Sequence, residues 1–390
     1  MMLTGKGSMD MIDRRMISTL GDEISRLGFG GMRFPKKGDQ VDVEAAVKLL
    51  HQAYDMGVNY FDTAVVYHKG ESEKVFGKAF EGYDRKTYFL ADKMSIWVCE
   101  TEQDMKDLFE RQLKTLNTDY IDYYLVHALN RNYYKKVKEF HCVEFLQEMK
   151  RQGKIRHLGF SFHDTYPVFQ EILNDYDWDF VQIQLNYLDW HGQGAELLYK
   201  ELEKRNLPCM VMEPVRGGYL ATLDKERAKP FLELAPEQSI ASWAMRWVNS
   251  LPQVAVVLSG MNELSQLEDN VSLMTNFKPM GEKEYAAVEQ VVESIRKVND
   301  VPCTGCRYCM DCPMGVDIPE NFAAYGRLKI FENDKDFIGE YEDLIHNSAS
   351  ADHCVNCGRC MTHCPQMIKI PEKLKKIHQL YLDKKAQQEA

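Results

Sequence analysis

The sequence has no long hydrophobic run. Nowhere do about 18 or more apolar residues follow one another, so no membrane-spanning helix is expected. The first residues, MMLTGKGSMDMIDRR, lack the apolar core of a secretory signal, and a cytoplasmic location is expected. Positive charge is also short. Lys and Arg number 48 against 59 Asp and Glu, a formal net charge of −11. Such a surface repels nucleic acid and anionic membrane, so neither is an expected partner. No G-x-G-x-x-G follows a strand-like run, which argues against a doubly wound dinucleotide fold. RLGFGG has glycines but neither the spacing nor the acidic partner. Cysteine is scarce before residue 300, with three of the eleven. An even spread would suit a disulfide scaffold. Eight cysteines gathered in the last ninety residues suit metal binding in a reducing compartment.

Those eight form two runs. The first is Cys303, Cys306, Cys309 and Cys312, followed by Pro313. The second is Cys354, Cys357, Cys360 and Cys364, followed by Pro365. The second reads C-x2-C-x2-C-x3-C-P, a spacing that lets three thiolates wrap one [4Fe–4S] cubane while the fourth ligates another. One cluster is therefore assigned to Cys303, Cys306, Cys309 and Cys364, the other to Cys354, Cys357, Cys360 and Cys312. The first run departs from the pattern, with only two residues between Cys309 and Cys312. C-x2-C pairs also bind zinc, but zinc sites normally use two pairs rather than three close cysteines and a fourth before proline. Between the runs, NFAAYGRLKIFEN and DFIGEYEDLIHN have helical apolar spacing. The module resembles α-helical ferredoxins more than the compact β-hairpin type.

Upstream, β-branched runs alternate with amphipathic stretches. Strands are expected at RLGFGGM, NYFDTA, TYFLADK, IDYYLVH, IRHLGFSF, FVQIQLN, PCMVMEP and VAVVLSG, each followed by a helical pattern. Eight β-then-α units imply parallel strands with right-handed crossovers. Their combined length of roughly 260 residues is that of a (βα)8 TIM barrel. The expected fold is thus α/β, a (βα)8 barrel followed by a small helical iron–sulfur domain. The divisions read as an N-terminal tail at 1–16, barrel at 17–280, linker helix at 281–300, cluster domain at 301–380 and C-terminal tail at 381–390.

Barrel enzymes place their chemistry at the C-terminal strand ends. There the sequence puts Asp62 after strand 2, Lys93 after strand 3 and His127 after strand 4, with Tyr67 in the loop beyond Asp62. Tyrosine is a poor acid, with a reference pKa of about 10. A nearby ammonium favours the phenolate, a carboxylate keeps the lysine charged, and a histidine can hydrogen-bond a carbonyl oxygen. The set suits proton donation to an oxygen that gains negative charge.

GVNYFDTAVVYHKGESEKVFGKAF, FLADK and DYIDYYLVH together resemble the aldo-keto reductase family over residues 17–275. The whole chain resembles the subgroup carrying a C-terminal ferredoxin-like domain. The resemblance implies hydride transfer between a nicotinamide and a carbonyl or alcohol. Tyr67 would be the acid, Lys93 and Asp62 would tune it, and His127 would orient the carbonyl. It also implies cofactor contacts at Met32, Ser161, Gln182, Met212, Arg216, Gly217, Gly260, Gln266 and Asn270. Phe162 stands in place of the family's asparagine beside Ser161. Met212 stands where many members have a stacking aromatic, and a thioether can still cover a ring. After strand 8, Asn262, Glu263 and Gln266 replace the cations that grip a 2′-phosphate, so NADH is expected over NADPH. Met32, Arg33, Trp97, Trp190 and His191 could line a substrate pocket. Arg33 would meet an acidic substrate or pair with a barrel-end carboxylate.

A hydride carries two electrons, whereas a [4Fe–4S] cluster passes one at a time. Three functions follow. The first is a carbonyl/alcohol oxidoreductase whose clusters connect it to an external ferredoxin, flavoprotein or partner subunit. In the second, the barrel rim holds FMN, fed by the clusters. In the third, the chain is an electron-transfer subunit with an idle barrel. The complete tetrad favours the first.

Overall fold

The computed structural model describes residues 11–192, 194–296, 301–303, 305, 307–310, 312–331 and 333–389. They form two compact units. The first takes the chain up to Pro214 and again from Ser242 to Met280; the second takes Val215–Ala241 and Gly281–Ala390.

Eight strands build the first unit. They are β1 (Leu27–Gly30), β2 (Tyr60–Asp62), β3 (Phe89–Met94), β4 (Ile121–Leu129), β5 (Ile155–Phe162), β6 (Phe180–Gln184), β7 (Cys209–Met212) and β8 (Val254–Ser259). Each pairs in parallel with its chain neighbour, and β8 closes on β1 through Val257–Leu27, Leu258–Gly28 and Ser259–Phe29. Strands covered on both faces need no polar side, so β4 is buried from end to end. Gly159 of β5 permits the closure locally, since a Cβ there would lie 2.5 Å from the Phe180 carbonyl oxygen.

Helices separate the strands. Between β1 and β4 these are α1 (Val43–Asp55), α2 (Glu71–Ala79) and α3 (Glu102–Thr115). Thr101 and Asp104 form a reciprocal capping box that starts α3. Next come α4 (Arg131–Glu139), α5 (Cys142–Arg151), α6 (Tyr166–Asp175), the short α7 (Asp189–Gly192) and α8 (Ala195–Arg205). After β7 follow α9 (Lys225–Leu234) and α10 (Ile240–Asn249), and after β8 comes α11 (Leu264–Met274). The apolar pattern does not announce α4 or α9. Only Tyr134 and Val137 of α4 are buried, and its start is fixed by the Asn130 cap; α9 carries Pro230 inside it behind an Asp224 cap.

The barrel interior is filled by Tyr60, Ala91, Tyr123, Leu125, Phe180, Met210, Val256 and Leu258. Ile24 joins them from an antiparallel hairpin, Arg14–Ile17 with Asp22–Ser25. Asp22, almost wholly buried, is the polar knot at this lower end. It accepts from the Tyr123 hydroxyl at 2.7 Å, from Arg156 at 2.7 Å, and lies 2.8 Å from His157 Nε2. Those bonds hold its carboxyl below the usual range despite burial. The packed interior leaves the opposite rim for chemistry.

In the second unit α9 packs against α12 (Glu282–Arg296). Beyond it lie α13 (Ile318–Phe331), α14 (Asp334–His346), the short α15 (Arg359–His363) and α16 (Ile370–Glu389). Their shared core includes Phe322, Tyr325, Leu328, Phe337, Tyr341, Leu374, Ile377 and Tyr381.

Candidate active site and cluster loops

The tetrad residues meet at the C-terminal rim. Lys93 is fully buried. Its Nζ donates to Asp62 Oδ1 at 2.6 Å and to the Thr63 carbonyl at 2.7 Å. Burial pushes the Asp62 carboxyl up, and the Lys93 ammonium pulls against it. The same ammonium stands over the Tyr67 ring, 4.8 Å from its centroid. Tyr67 opens a 3-10 turn, Tyr67–Gly70, and its ring meets His127 edge-on at 5.9 Å.

His127 is aimed by an irregularity in β4. The pairing with β5 breaks between Val126 and Leu129, and Ala128 takes a left-handed φ of 50°. Ser161 pins this bulge by accepting the Ala128 N–H at 2.7 Å. On the other side of the ring, Ser95 Oγ lies 2.6 Å from Nδ1. Burial, with Lys93 and His163 nearby, drives His127 well below its ordinary pKa, so the imidazole is neutral. A neutral ring has two tautomers, and the one that leaves the proton on Nε2 is the one in which Ser95 donates to Nδ1.

The predicted cofactor residues divide. Ser161 and Gln182 are buried on paired strand residues of β5 and β6. Gln182 Nε2 reaches the Met212 sulfur at 3.5 Å, while its buried Oε1 has no hydrogen-bond partner among the described residues. Such an orphaned acceptor suits a carboxamide N–H, so these residues fit a nicotinamide. Phe162 turns outward onto Phe169, at 4.8 Å, and offers no polar contact. Met32 is half-buried after β1. A Cβ on Gly260 would lie 3.1 Å from the Arg33 side chain, which therefore crosses the end of β8. Arg33 also pairs with Glu213 at 3.7 Å, the carboxylate partner anticipated for it. Gln266 accepts the Asn262 N–H at 3.0 Å, and Asn270 donates to Ser259 at 3.3 Å. Arg216 and Gly217 lie in the second unit, in a turn where both take positive φ. Of the pocket candidates, Trp97 stands 4.9 Å from His127. Trp190 packs on Trp247 and Tyr199. The His191 side chain lies outside the described residues.

The cysteine loops rest on the core of the second unit. Cys303, Cys309, Cys312, Cys354, Cys360 and Cys364 all pack against it, Cys357 is exposed, and Cys306 lies outside the described residues. Burial raises the Cys360 thiol to about 11, and its neighbours Cys354, Cys312 and Cys357 add to this. Cys312 of the first run thus stands beside the second run. Backbone N–H groups face the sulfurs: Gly305 donates to Cys303 at 3.4 Å, and Gln366, Met367 and Ile368 reach Cys364. Left-handed Gly305, Arg307, Asn356 and Gly358 curl the loops. Amide donors around thiolates suit an iron–sulfur cluster, whose potential they tune. Among the described residues no three His, Cys, Asp or Glu side chains converge on a single-ion site. The ligands of a cubane stand further apart than those of one ion.

The family profile described as Aldo/keto reductase family matches residues 26–293. The chain belongs to the aldo/keto reductase family. A profile described as a 4Fe-4S dicluster domain matches residues 302–379. Among curated relatives, the uncharacterized oxidoreductase YqkF of Bacillus subtilis is 24% identical over 310 residues, covering 71% of this chain and 95% of that one. L-galactose dehydrogenase of Arabidopsis thaliana is 23% identical, covering 74% and 97%. The holo form of aldo-keto reductase AKR11C1 from Bacillus halodurans superposes with a TM-score of 0.60 at 24% identity, covering 72% and 96%. An aldo-keto reductase from Klebsiella pneumoniae in complex with NADPH gives 0.59 at 20%, covering 72% and 96%. The protein is an aldo-keto reductase-type oxidoreductase: a TIM barrel followed by a helical ferredoxin-like domain of the [4Fe–4S] class. Among the described residues no helix is long and apolar enough to cross a membrane.

Two residues of this reductase escaped the sequence reading. Ser95 carries no motif and matters only because the fold sets it against His127. His163 follows Ser161 by two, the strand period that keeps a side chain on one face, and it is near enough to help disfavour a charged His127. Enclosure of its ring lowers its pKa to about 4. The two-residue spacing was the available signal.

Proposed function

We propose that this protein reduces a small carbonyl substrate, or oxidises the corresponding alcohol, at the Asp62–Tyr67–Lys93–His127 rim. The buried Lys93–Asp62 ion pair beneath the Tyr67 ring carries this reading. A bound nicotinamide would supply or accept the hydride. His127 orients the substrate oxygen by donating from Nε2, in a site where water does not compete for the bond. Tyr67 gives its proton to that oxygen as charge builds on it. The Lys93 ammonium then stabilises the phenolate, and Asp62 keeps Lys93 charged.

Ser161 and Gln182 would hold the nicotinamide amide, with Met212 beside it. Met32, Gly260 and Asn270 complete the proposed cofactor contacts within the first unit. Arg33 is the cation at the end of β8. NADH is proposed over NADPH because Asn262, Glu263 and Gln266 present no cation to a 2′-phosphate, and Gln266 is already engaged with Asn262. A kcat/KM that strongly favours NADPH would overturn that preference.

The cysteines are proposed to bind one cluster through Cys303, Cys306, Cys309 and Cys364 and another through Cys354, Cys357, Cys360 and Cys312. The position of Cys312 beside Cys360 supports the crossed assignment. Clusters held there would exchange single electrons with an external carrier. The exposed Cys357 and the 60% exposure of neighbouring Val355 favour access at the second cluster.

Tyr67→Phe tests the central reading. Carbonyl reduction should fall by at least roughly 10²-fold while the dithionite-bleachable cluster absorbance persists. Unchanged turnover would remove Tyr67 as the acid.

A further inference from the structure

On the outer side of β3, behind Lys93, lies a closed group of buried polar side chains that the reduction chemistry does not use. Successive strand residues face opposite sides, so Asp92 turns away from the barrel interior while Lys93 turns into it. Asp92, Glu73 of α2 and Gln112 of α3 are all buried. The Glu73 carboxyl lies within hydrogen-bond reach of Asp92. Gln112 Nε2 donates to Glu73 Oε1 at 3.0 Å and to the Lys93 carbonyl at 3.0 Å. The Tyr124 hydroxyl donates to Gln112 Oε1 at 2.5 Å, and Asp92 Oδ1 accepts the Lys93 N–H at 2.8 Å. Both backbone polar groups of Lys93 are therefore held by this one network. Asp92 Oδ2 has no hydrogen-bond donor among the described residues.

Two carboxyls this close in a dry site cannot both ionise. Burial raises Glu73, against the pull of the Gln112 hydrogen bond and then of Arg111 and Lys93 toward ionisation, and the Lys93 N–H and ammonium pull Asp92 the same way. Glu73 and Asp62 oppose the ionisation of Asp92. Tyr124 faces the pair as a neutral phenol, with the Cys99 and Cys142 thiols beyond it, both kept protonated by burial. Burial, with Glu73 beside it, outweighs Lys93, and Asp92 rises well above the ordinary carboxyl range.

We propose that Glu73 and Asp92 share a single proton at neutral pH and serve as the positioning unit of Lys93. With the proton in place the pair, Gln112 and Tyr124 clamp the Lys93 N–H and C=O, which fixes where Nζ meets Asp62 and Tyr67. Loss of the proton at alkaline pH sets two carboxylates against each other and loosens the strand end. This inference rests on the reading that Lys93 serves Tyr67, but its first test does not.

The test is infrared difference spectroscopy of the anaerobic holoprotein across neutral to alkaline pH, with Asp92→Asn as the reference. Asparagine still accepts from the Lys93 N–H and donates to Glu73, but cannot titrate. Wild type should show the carbonyl band of a protonated carboxylic acid that vanishes on alkalinisation and is missing from Asp92→Asn. Its midpoint should match the alkaline limb of kcat, and that limb should move to higher pH in Asp92→Asn. Gln112→Leu, which severs the link to the Lys93 carbonyl, should lower kcat by up to roughly 10²-fold with cluster spectra intact. Absence of the protonated-acid band at neutral pH overturns the shared proton. A band with an unmoved alkaline limb overturns the positioning role. Failure of wild type to reduce any carbonyl overturns the proposed function instead, and leaves the infrared result standing.

Discussion

Replacing His163 with glutamine should flatten the loss of stability that this protein suffers on mild acidification. In the folded chain the His163 ring titrates at about 4, because enclosure disfavours the imidazolium. In the unfolded chain it titrates near 6.5. The folded-state value of this base is lowered, so the unfolded state binds more protons below 6.5 and stability falls as pH falls. Lowering the pH from 7.5 to 5.0 takes the unfolded ring about 1.5 units past its pKa while the folded ring stays neutral. At about 1.36 kcal/mol per unit, this amounts to roughly 2 kcal/mol. The residue keeps some solvent contact, which makes this an upper figure. The assay is urea denaturation of anaerobic wild type and His163→Gln, followed by tryptophan fluorescence at several pH values in this window. Because both proteins carry the same clusters, the difference between their pH slopes isolates His163. Wild type should lose up to about 2 kcal/mol more than the variant between pH 7.5 and 5.0. Parallel slopes would show that the ring is freely protonated in the folded protein and would refute its enclosure beside His127.

Three further outcomes are expected. Ser95→Ala should leave the fold intact and lower kcat about tenfold, because the His127 tautomer is no longer fixed; steady-state kinetics should show kcat affected more than KM. Asp22→Asn removes the charge that Arg156 pairs with at the floor of the barrel, and should cost about 3 kcal/mol, measured as a lowered denaturation midpoint. Cys312→Ala should reduce bound iron by up to about four atoms per chain and alter the paramagnetic resonance of the cluster seated on Cys354, Cys357 and Cys360, rather than that of the first run.

Much of this protein could be read from its sequence, because local rules govern the legible parts. The eight strand-then-helix units are written in hydrophobic periodicity, and all eight predicted strands are present. The cysteine runs are legible because cluster ligation demands fixed short spacings. The tetrad is legible because barrel topology sends every strand end to one rim, so a polar residue closing a strand declares its address. Contacts between residues far apart in sequence are not written that way. Gln112 and Tyr124 look like ordinary members of a helix and a strand, and only the packing of α3 on β3 and β4 brings them to the Lys93 carbonyl. Ser95 became the partner of His127 because β4 bulges at Ala128, a backbone deviation no periodicity encodes. Phe162 sits next to Ser161 in sequence, yet strand alternation sends it into the helix layer and away from the site. Composition and spacing fixed the fold class and singled out the candidate residues for chemistry. Tertiary structure alone decided which of them are dry, which are paired and which way each points, because burial and hydrogen bonding arise only when distant segments close around a side chain.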